Sequence, residues 1–197
     1  MKPYAILVIG GAGYIGSHMV KDLLLNSYEV IVLDDFSTGN RDLLPGARLV
    51  EGNLGDSDLL DDIFRGHDVQ AVMHFAAHSL VGESVGSPLK YYDNNVAKTV
   101  TLLDVMIRHG VKYFIFSSSA AVFGEPMDIP IKEDHPCNPT NPYGSTKLTV
   151  EKILQDCNEA YGLRYVSLRY FNAAGADVSG EIGERHQPET HLIPLVL

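Results

Sequence analysis

Apolar residues in this chain fall into short blocks separated by turn-forming residues, and the blocks alternate between strand-like and helix-like spacing. Ile6-Leu-Val-Ile9 is a continuous apolar run stopped by Gly10 and Gly11. Such a run reads as a strand buried on both faces, with a helix opening directly after the glycines. Glu29 to Asp34 reads as a second strand and Ala47 to Glu51 as a short third one. Asp58 to Phe64 sets Leu59, Leu60, Ile63 and Phe64 at helical spacing. Val69 to Phe75 is again strand-like. A long helix is predicted from Pro88 to about His109, with Ser87 as its cap, Pro88 at its first position and Gly110 ending it. Lys112 to Ser117 reads as a strand. Asn141 then caps a helix that starts at Pro142 and runs to about Tyr161, before Gly162, and Leu163 to Leu168 is the next strand.

Repeated strand-then-helix order implies an α/β fold: a Rossmann-like, doubly wound parallel sheet with helices on both faces. Ligands in such sheets bind beyond the carboxyl ends of the strands, where the polar clusters of this chain fall. The stretch 124–141 holds four prolines and reads as an ordered surface loop. From Gly175 the alternation stops. Residues 1–174 are therefore expected to form the doubly wound domain, and residues 175–197 to begin a further, small C-terminal region. The apolar run from His191 to Leu197 suggests that the natural protein continues.

The first turn carries the clearest chemistry. Gly10, Gly13 and Gly16 are evenly spaced, and Gly11, Gly13 and Gly16 also satisfy Gly-x-Gly-x-x-Gly. One glycine permits the tight turn, one admits a pyrophosphate, and one lets the helix pack on the strand. Free amides at the helix N-terminus attract phosphate charge. Asp34 follows Gly16 near the offset where an acid accepts a hydrogen bond from the adenosine ribose. A carboxylate there repels a 2′-phosphate, which favours NAD over NADP. Asp35 follows directly, and Asp34 is chosen from a pair that spacing alone leaves open.

Composition narrows the class. The chain has 197 residues, 45% of them hydrophobic, enough for one domain with a substantial core. A formal net charge of −10 argues against a nucleic-acid partner. Cys137 and Cys157 have no metal-ligand spacing and fit a reduced, cytoplasmic setting. No apolar run approaches membrane-spanning length and Met1-Lys2-Pro3 has no signal-peptide layout, so no membrane association is expected. The eight histidines, His74, His78, His135, His186 and His191 among them, show no metal-site spacing, and no metal is expected.

Tyr143-Gly-Ser-Thr-Lys147 is the second informative motif. Asn141 and Pro142 place Tyr143 in the first helical turn, and Lys147 four residues on shares its face. Among the ten tyrosines only Tyr143 has a lysine at that offset. A neighbouring ammonium and an oxidised nicotinamide both favour the phenolate, which makes Tyr143 a candidate general base. Ser117-Ser-Ser119 ends a predicted strand. Its hydroxyls can bind a substrate oxygen or cap loose backbone amides.

Seven motifs occur in order: Gly10 to Gly16, Asp34, His74-Phe-Ala-Ala77, Tyr91-Tyr-Asp-Asn-Asn95, Ser117 to Ser119, Tyr143-x-x-x-Lys147 and Arg169-Tyr-Phe-Asn172. Together they resemble the extended short-chain dehydrogenase/reductases, and among them the UDP-hexose 4-epimerases, over essentially the whole chain. The resemblance implies NAD as cofactor and a UDP-hexose as substrate. It implies epimerisation at C4, UDP-galactose to UDP-glucose, through a transient 4-keto sugar. It assigns catalysis to Ser119, Tyr143 and Lys147, with Ser119 singled out from Ser118. It carries cofactor contact to Gly10, Gly13, Tyr14, Ile15 and Gly16 at the turn. Asp34, Asp35, Phe36, Ser37, Thr38 and Gly39 would surround the ribose, and Asn53 and Leu54 would lie near the adenine. Phe75, Ala76, Ala77, His78, Ser79, Asn94, Lys147 and Phe171 complete that set. Ser119, Tyr143, Asn172, His191 and Leu192 are implied to touch the substrate. A homodimer through the Pro88–His109 helix and the Tyr143 helix is also implied. The stripe Val96, Val100, Leu103 and Ile107 suits either core or interface.

Three departures are visible. Many members carry an acid where this chain has Asn53, the strand-end motif closes with Phe123-Gly124 instead of Tyr-Gly, and family members continue well beyond this chain's length. A nucleotide-sugar 4,6-dehydratase is disfavoured, because its additional acid and base would stand where this chain has Ala120 and Ala121. A non-catalytic NAD-binding fragment is the other alternative, and it would have no use for Tyr143.

Overall fold

The computed structural model of the chain describes residues 4–43, 46–185, 189 and 192–196. Six parallel strands form one sheet: β1 Ala5–Ile9, β2 Glu29–Asp34, β3 Arg48–Glu51, β4 Val69–His74, β5 Tyr113–Ser117 and β6 Arg164–Leu168. Their spatial order is β3-β2-β1-β4-β5-β6. The registers are parallel throughout, with Leu7 opposite Ile31 on one side and Val72 on the other. This is the doubly wound arrangement, whose order reverses between β1 and β4. The expected fold class is the observed one.

Alternation along β1 divides the core. Ala5, Leu7 and Ile9 join the larger cluster, under α2 (Ser57–Gly66), α5 (Lys98–Arg108) and α6 (Pro142–Tyr161). Ile6 and Val8 face α1 (Tyr14–Leu25), where Val20 and the partly buried Met19, Leu23 and Leu24 cover them. Burial of both faces explains why the strand sequences are unbroken apolar runs. On the α1 side the cover thins out over the last two strands, where Tyr113 and Val166 are 52% and 53% exposed.

Helix boundaries follow local chemistry. The Asp56 carboxylate caps α2, accepting from Asp58 N at 3.2 Å and Leu59 N at 3.1 Å. Asn141 Oδ1 accepts from Gly144 N at 2.9 Å to start α6. Gly162, in the left-handed region at φ 71°, ends it. The expected long helix after Ser87 is corrected in two respects. Ser87 makes no side-chain capping bond. The helix also comes in three pieces: α4 (Pro88–Tyr92), a π-helical turn over Asp93–Ala97, and α5. A short α3 (Val81–Gly86), unpredicted, precedes them, and Leu192–Val196 forms a final short helix, α7. Within the stripe Val96, Val100, Leu103 and Ile107, Leu103 is core and Val100 is 44% exposed.

The segment after residue 174 folds back onto α1. Tyr14 OH donates to Gly175 O at 2.6 Å, and Lys21 Nζ pairs with Asp177 at 2.5 Å. Among the described residues no helix is long and apolar enough to cross a membrane, and no cluster of residues could hold a metal ion. Both cysteines are free thiols.

Replacement of Asp56 by Ala leaves two amides of α2 without their acceptor. It is expected to cost about 1 kcal/mol of stability, read as a lowered urea midpoint with an unchanged slope.

Candidate active site

The strands bring the sequence motifs to the carboxyl end of the sheet. Between the ends of β1, β2 and β4 lies a cleft open to solvent. Gly10, Gly13, Asp34, Asp35, Ser37, Thr38, Leu54, Phe75, Ala76, Ala77, His78 and Asn94 line it, all of them candidates from the sequence. Ile9, Leu33 and Gly52 also line it and were not foreseen. They are strand-end residues whose apolar or minimal side chains carry no chemical signal.

The glycine turn is a backbone cradle. Gly10 has φ 74°, and a Cβ on it would sit 2.5 Å from Ala76 N. A Cβ on Gly16 would sit 2.2 Å from Gly10 O. Asp34 is 9% exposed, and its carboxylate accepts from Ala12 N and Phe36 N, both at 2.9 Å. The acid thus ties the glycine turn to the end of β2 and lines the cleft. Burial raises its pKa, the two backbone donors pull it back, and Asp35 adds to the rise. Burial would raise Asp35 as well. There the Ser37 hydroxyl and amide, the Lys98 charge and the Asn53 amide outweigh it, and the Asp35 pKa is lowered. Asn53 therefore acts on the cleft through Asp35, its Nδ2 lying 3.3 Å from Asp35 Oδ2.

Beside this cleft, around the ends of β4 and β5, stand Ser119, Tyr143 and Lys147. Lys147 is 3% exposed and its Nζ donates to Ser117 O at 2.7 Å. The same ammonium lies 5.8 Å from the Tyr143 ring centroid and 4.9 Å from that of Phe116. Ser119 lies close enough to Tyr143 to lower its pKa, and its Oγ accepts from Ala121 N at 3.1 Å. Ser118 turns away, donating to Glu151 Oε1 at 2.5 Å. The geometry separates the two serines, which sequence could not do on its own. The electrostatics differ from the expected phenolate–ammonium pair. Burial raises the Tyr143 pKa, with the Ser119 hydroxyl pulling it partly back. Burial likewise lowers Lys147 to about 7, against the raising influence of Glu151. Desolvation acts on both groups in the sense opposite to what the base needs.

Other candidates scatter. Tyr14, Ile15 and Gly16 in the first turn of α1, and Phe36, Gly39 and Ser79 in the loops after β2 and β4, stand outside the lining of the cleft. Phe36 is held at φ 56° beneath Arg41, whose guanidinium lies 3.9 Å from its ring centroid. Phe171 is 68% exposed, Asn172 is exposed, and Leu192 is 75% exposed on α7. They are not brought to the cleft. His191 lies outside the described residues.

Asn95, passed over in favour of its neighbour, turns out to be a hub. It is 3% exposed on the π turn. It accepts from His78 N at 2.9 Å, and its Nδ2 lies 3.0 Å from His78 O and 3.2 Å from Thr146 Oγ1. It therefore ties the cleft loop to the helix that carries Tyr143 and Lys147. Consecutive asparagines look alike in sequence, and the π turn decides which one points inward.

A match to the model of the NAD dependent epimerase/dehydratase family spans residues 6–197. The chain belongs to that family. Within the family it is 58% identical over 193 residues to UDP-glucose 4-epimerase of Halalkalibacterium halodurans, covering 98% of this chain and 58% of the relative. The crystal structure of UDP-glucose 4-epimerase from Brucella ovis in complex with NAD superposes with a TM-score of 0.96 at 50% identity, covering 98% of this chain and 59% of that one. The corresponding structure from Bifidobacterium longum in complex with NAD+ and UDP gives 0.89 at 41% identity, covering 93% and 58%. The chain thus spans somewhat under three fifths of the length of these family members.

His74 provides a check on the site's electrostatics. Burial, and then the charge of Lys147, lower its pKa from 6.5 to about 3. Thr99 Oγ1 donates to Asn95 O at 2.9 Å, so His74 Nε2–H donates to Thr99 Oγ1, also at 2.9 Å. Between pH 6.5 and about 3 the unfolded chain binds the proton that the native chain refuses. Stability is therefore full above 6.5 and falls as pH drops through that window. The urea midpoint is expected to fall between roughly pH 7 and roughly pH 5, and to fall less in His74→Gln.

Proposed function

We propose that this chain is the NAD-binding and catalytic portion of a UDP-hexose 4-epimerase, interconverting UDP-galactose and UDP-glucose through a 4-keto sugar. The observation that carries this reading is the convergence of Ser119, Tyr143 and Lys147 on the strand ends beside the glycine-turn cleft. The cradle formed by Gly10 and Gly16, with no room for a Cβ, suits a pyrophosphate, and the two acids suit a ribose without a 2′-phosphate. NAD, when bound, supplies the acceptor and later the donor of the C4 hydride, together with a positive charge near Tyr143.

In this reading Tyr143 takes the proton of the sugar 4-hydroxyl and returns it after the sugar has turned over. Ser119, beside Tyr143, holds the sugar oxygen in line with the phenol. Lys147 stabilises the phenolate and bonds the nicotinamide ribose. Its pKa near 7 keeps a substantial ammonium fraction at neutral pH. Asp34, Asp35, Asn94 and the Phe75–His78 loop hold the cofactor. In this reading the UDP-sugar contacts fall to Asn172, His191 and Leu192. Residues 1–174 form the nucleotide domain and 175–197 open the substrate region. The chain works as a homodimer in a cytoplasmic setting. The apolar positions Val85, Leu89 and Tyr92, 65%, 82% and 40% exposed and continuing to Val100, favour that dimer.

The experiment is conversion of UDP-galactose to UDP-glucose by the purified chain with NAD. Tyr143→Phe is expected to lower turnover by roughly 10³-fold and leave NAD affinity unchanged. Loss of NAD binding in that variant would overturn the assignment. Gly16→Ala should instead abolish NAD binding, measured calorimetrically, because its Cβ collides with Gly10 O.

A further inference from the structure

Helix α6 carries a second charged residue on the face of Tyr143 and Lys147 that the proposed chemistry leaves unused. Glu151, one turn beyond Lys147, is 8% exposed. Its carboxylate accepts from Ser118 Oγ at 2.5 Å, from Arg169 Nε at 3.0 Å and from Arg169 Nη2 at 2.6 Å. Ser118 immediately precedes Ser119. Arg169 stacks 5.0 Å from the Phe123 ring centroid and precedes Tyr170. Tyr170 in turn bonds the Ser117 hydroxyl, and its carbonyl accepts from Ala120 N at 3.0 Å. One carboxylate therefore joins the helix of the base, the serine run at the end of β5 and the segment after β6. Desolvating such a pair offsets most of its attraction, so stability alone is a weak reason for it.

We propose that Glu151 is a positioning residue: it holds the Ser118–Ser119 step and the Arg169–Tyr170 segment against α6, and keeps a negative charge one turn from the Lys147 ammonium. The inference rests on the epimerase reading for the roles of Ser119 and Lys147. The ionisable groups around Lys147 are His74 from β4, Tyr143 and Glu151 from α6, Arg169 and Tyr170 after β6, and, farther out, Tyr91 from α4, on which Tyr143 acts. His74 stays neutral and Arg169 is bound to Glu151, which leaves Glu151 as the negative charge acting on Lys147.

The test titrates Lys147 in the whole chain by NMR with isotope-labelled lysine, its signal assigned by loss in Lys147→Met. Glu151→Gln is expected to lower the Lys147 midpoint by about one pH unit, because the carboxylate favours the ammonium. Arg169→Gln should raise it, because the carboxylate then acts without its counter-charge. Opposite shifts are not what general loosening of the fold produces. In the epimerase assay Glu151→Gln should lower kcat with little change in KM and move the alkaline limb of the pH profile down, while Glu151→Asp restores the limb. An unchanged Lys147 midpoint in both variants, or a kcat loss that follows melting temperature equally at every pH, would overturn the inference. Absence of epimerisation by the unmutated chain would count against the proposed reaction alone, since the lysine titration needs neither cofactor nor sugar.

Discussion

The site depends on a close approach of backbone to backbone. Helix α1 starts where it does because Gly16 lies against the Gly10 carbonyl and Gly10 lies under Ala76, each too near for a side chain. That contact pins the end of β1 to the end of β4, the one place in the sheet where the connections leave in opposite directions. Asp34 reinforces it by bonding Ala12 N across the turn. The cleft is the space left where those backbones part, and its floor is therefore backbone and small residues.

A second constraint governs the chemistry. Lys147 brings a charge into the interior, where an ammonium is tolerated only with acceptors at hand. Ser117 O and the charge of Glu151 meet that need, and His74, kept neutral first by its own burial, is held so further by the Lys147 charge. The lysine ends near neutrality, where a modest change in local charge alters its protonation. Burial thus tunes the site and also couples it to His74 on β4 and Glu151 on α6.

Rigidity between the two halves comes from irregular helix. The π turn at Asp93–Ala97 rotates Asn95 inward, and its amide fastens the cleft loop at His78 and the α6 residue Thr146 together. A straight helix from Pro88 to His109 would present a different residue there. Displacement of the loop against α6 would have to break those bonds in the interior, where unpaired polar groups are costly.

Much of this was legible in the chain itself. Runs such as Ile6–Ile9 and Val69–His74, the glycine spacing and the Asn-Pro start of α6 are local signals with period and turn chemistry built in. They announce the doubly wound sheet, the cleft and the Tyr143–Lys147 face without any long-range knowledge. The π turn, the inward aim of Asn95, the division of labour between Ser118 and Ser119, and the Glu151–Arg169 pair were decided only by tertiary structure. Each depends on which residue of a similar pair meets a partner from a distant segment. Local pattern places a residue on a face, but a buried polar group's role is set by the partner that the fold brings within hydrogen-bonding reach.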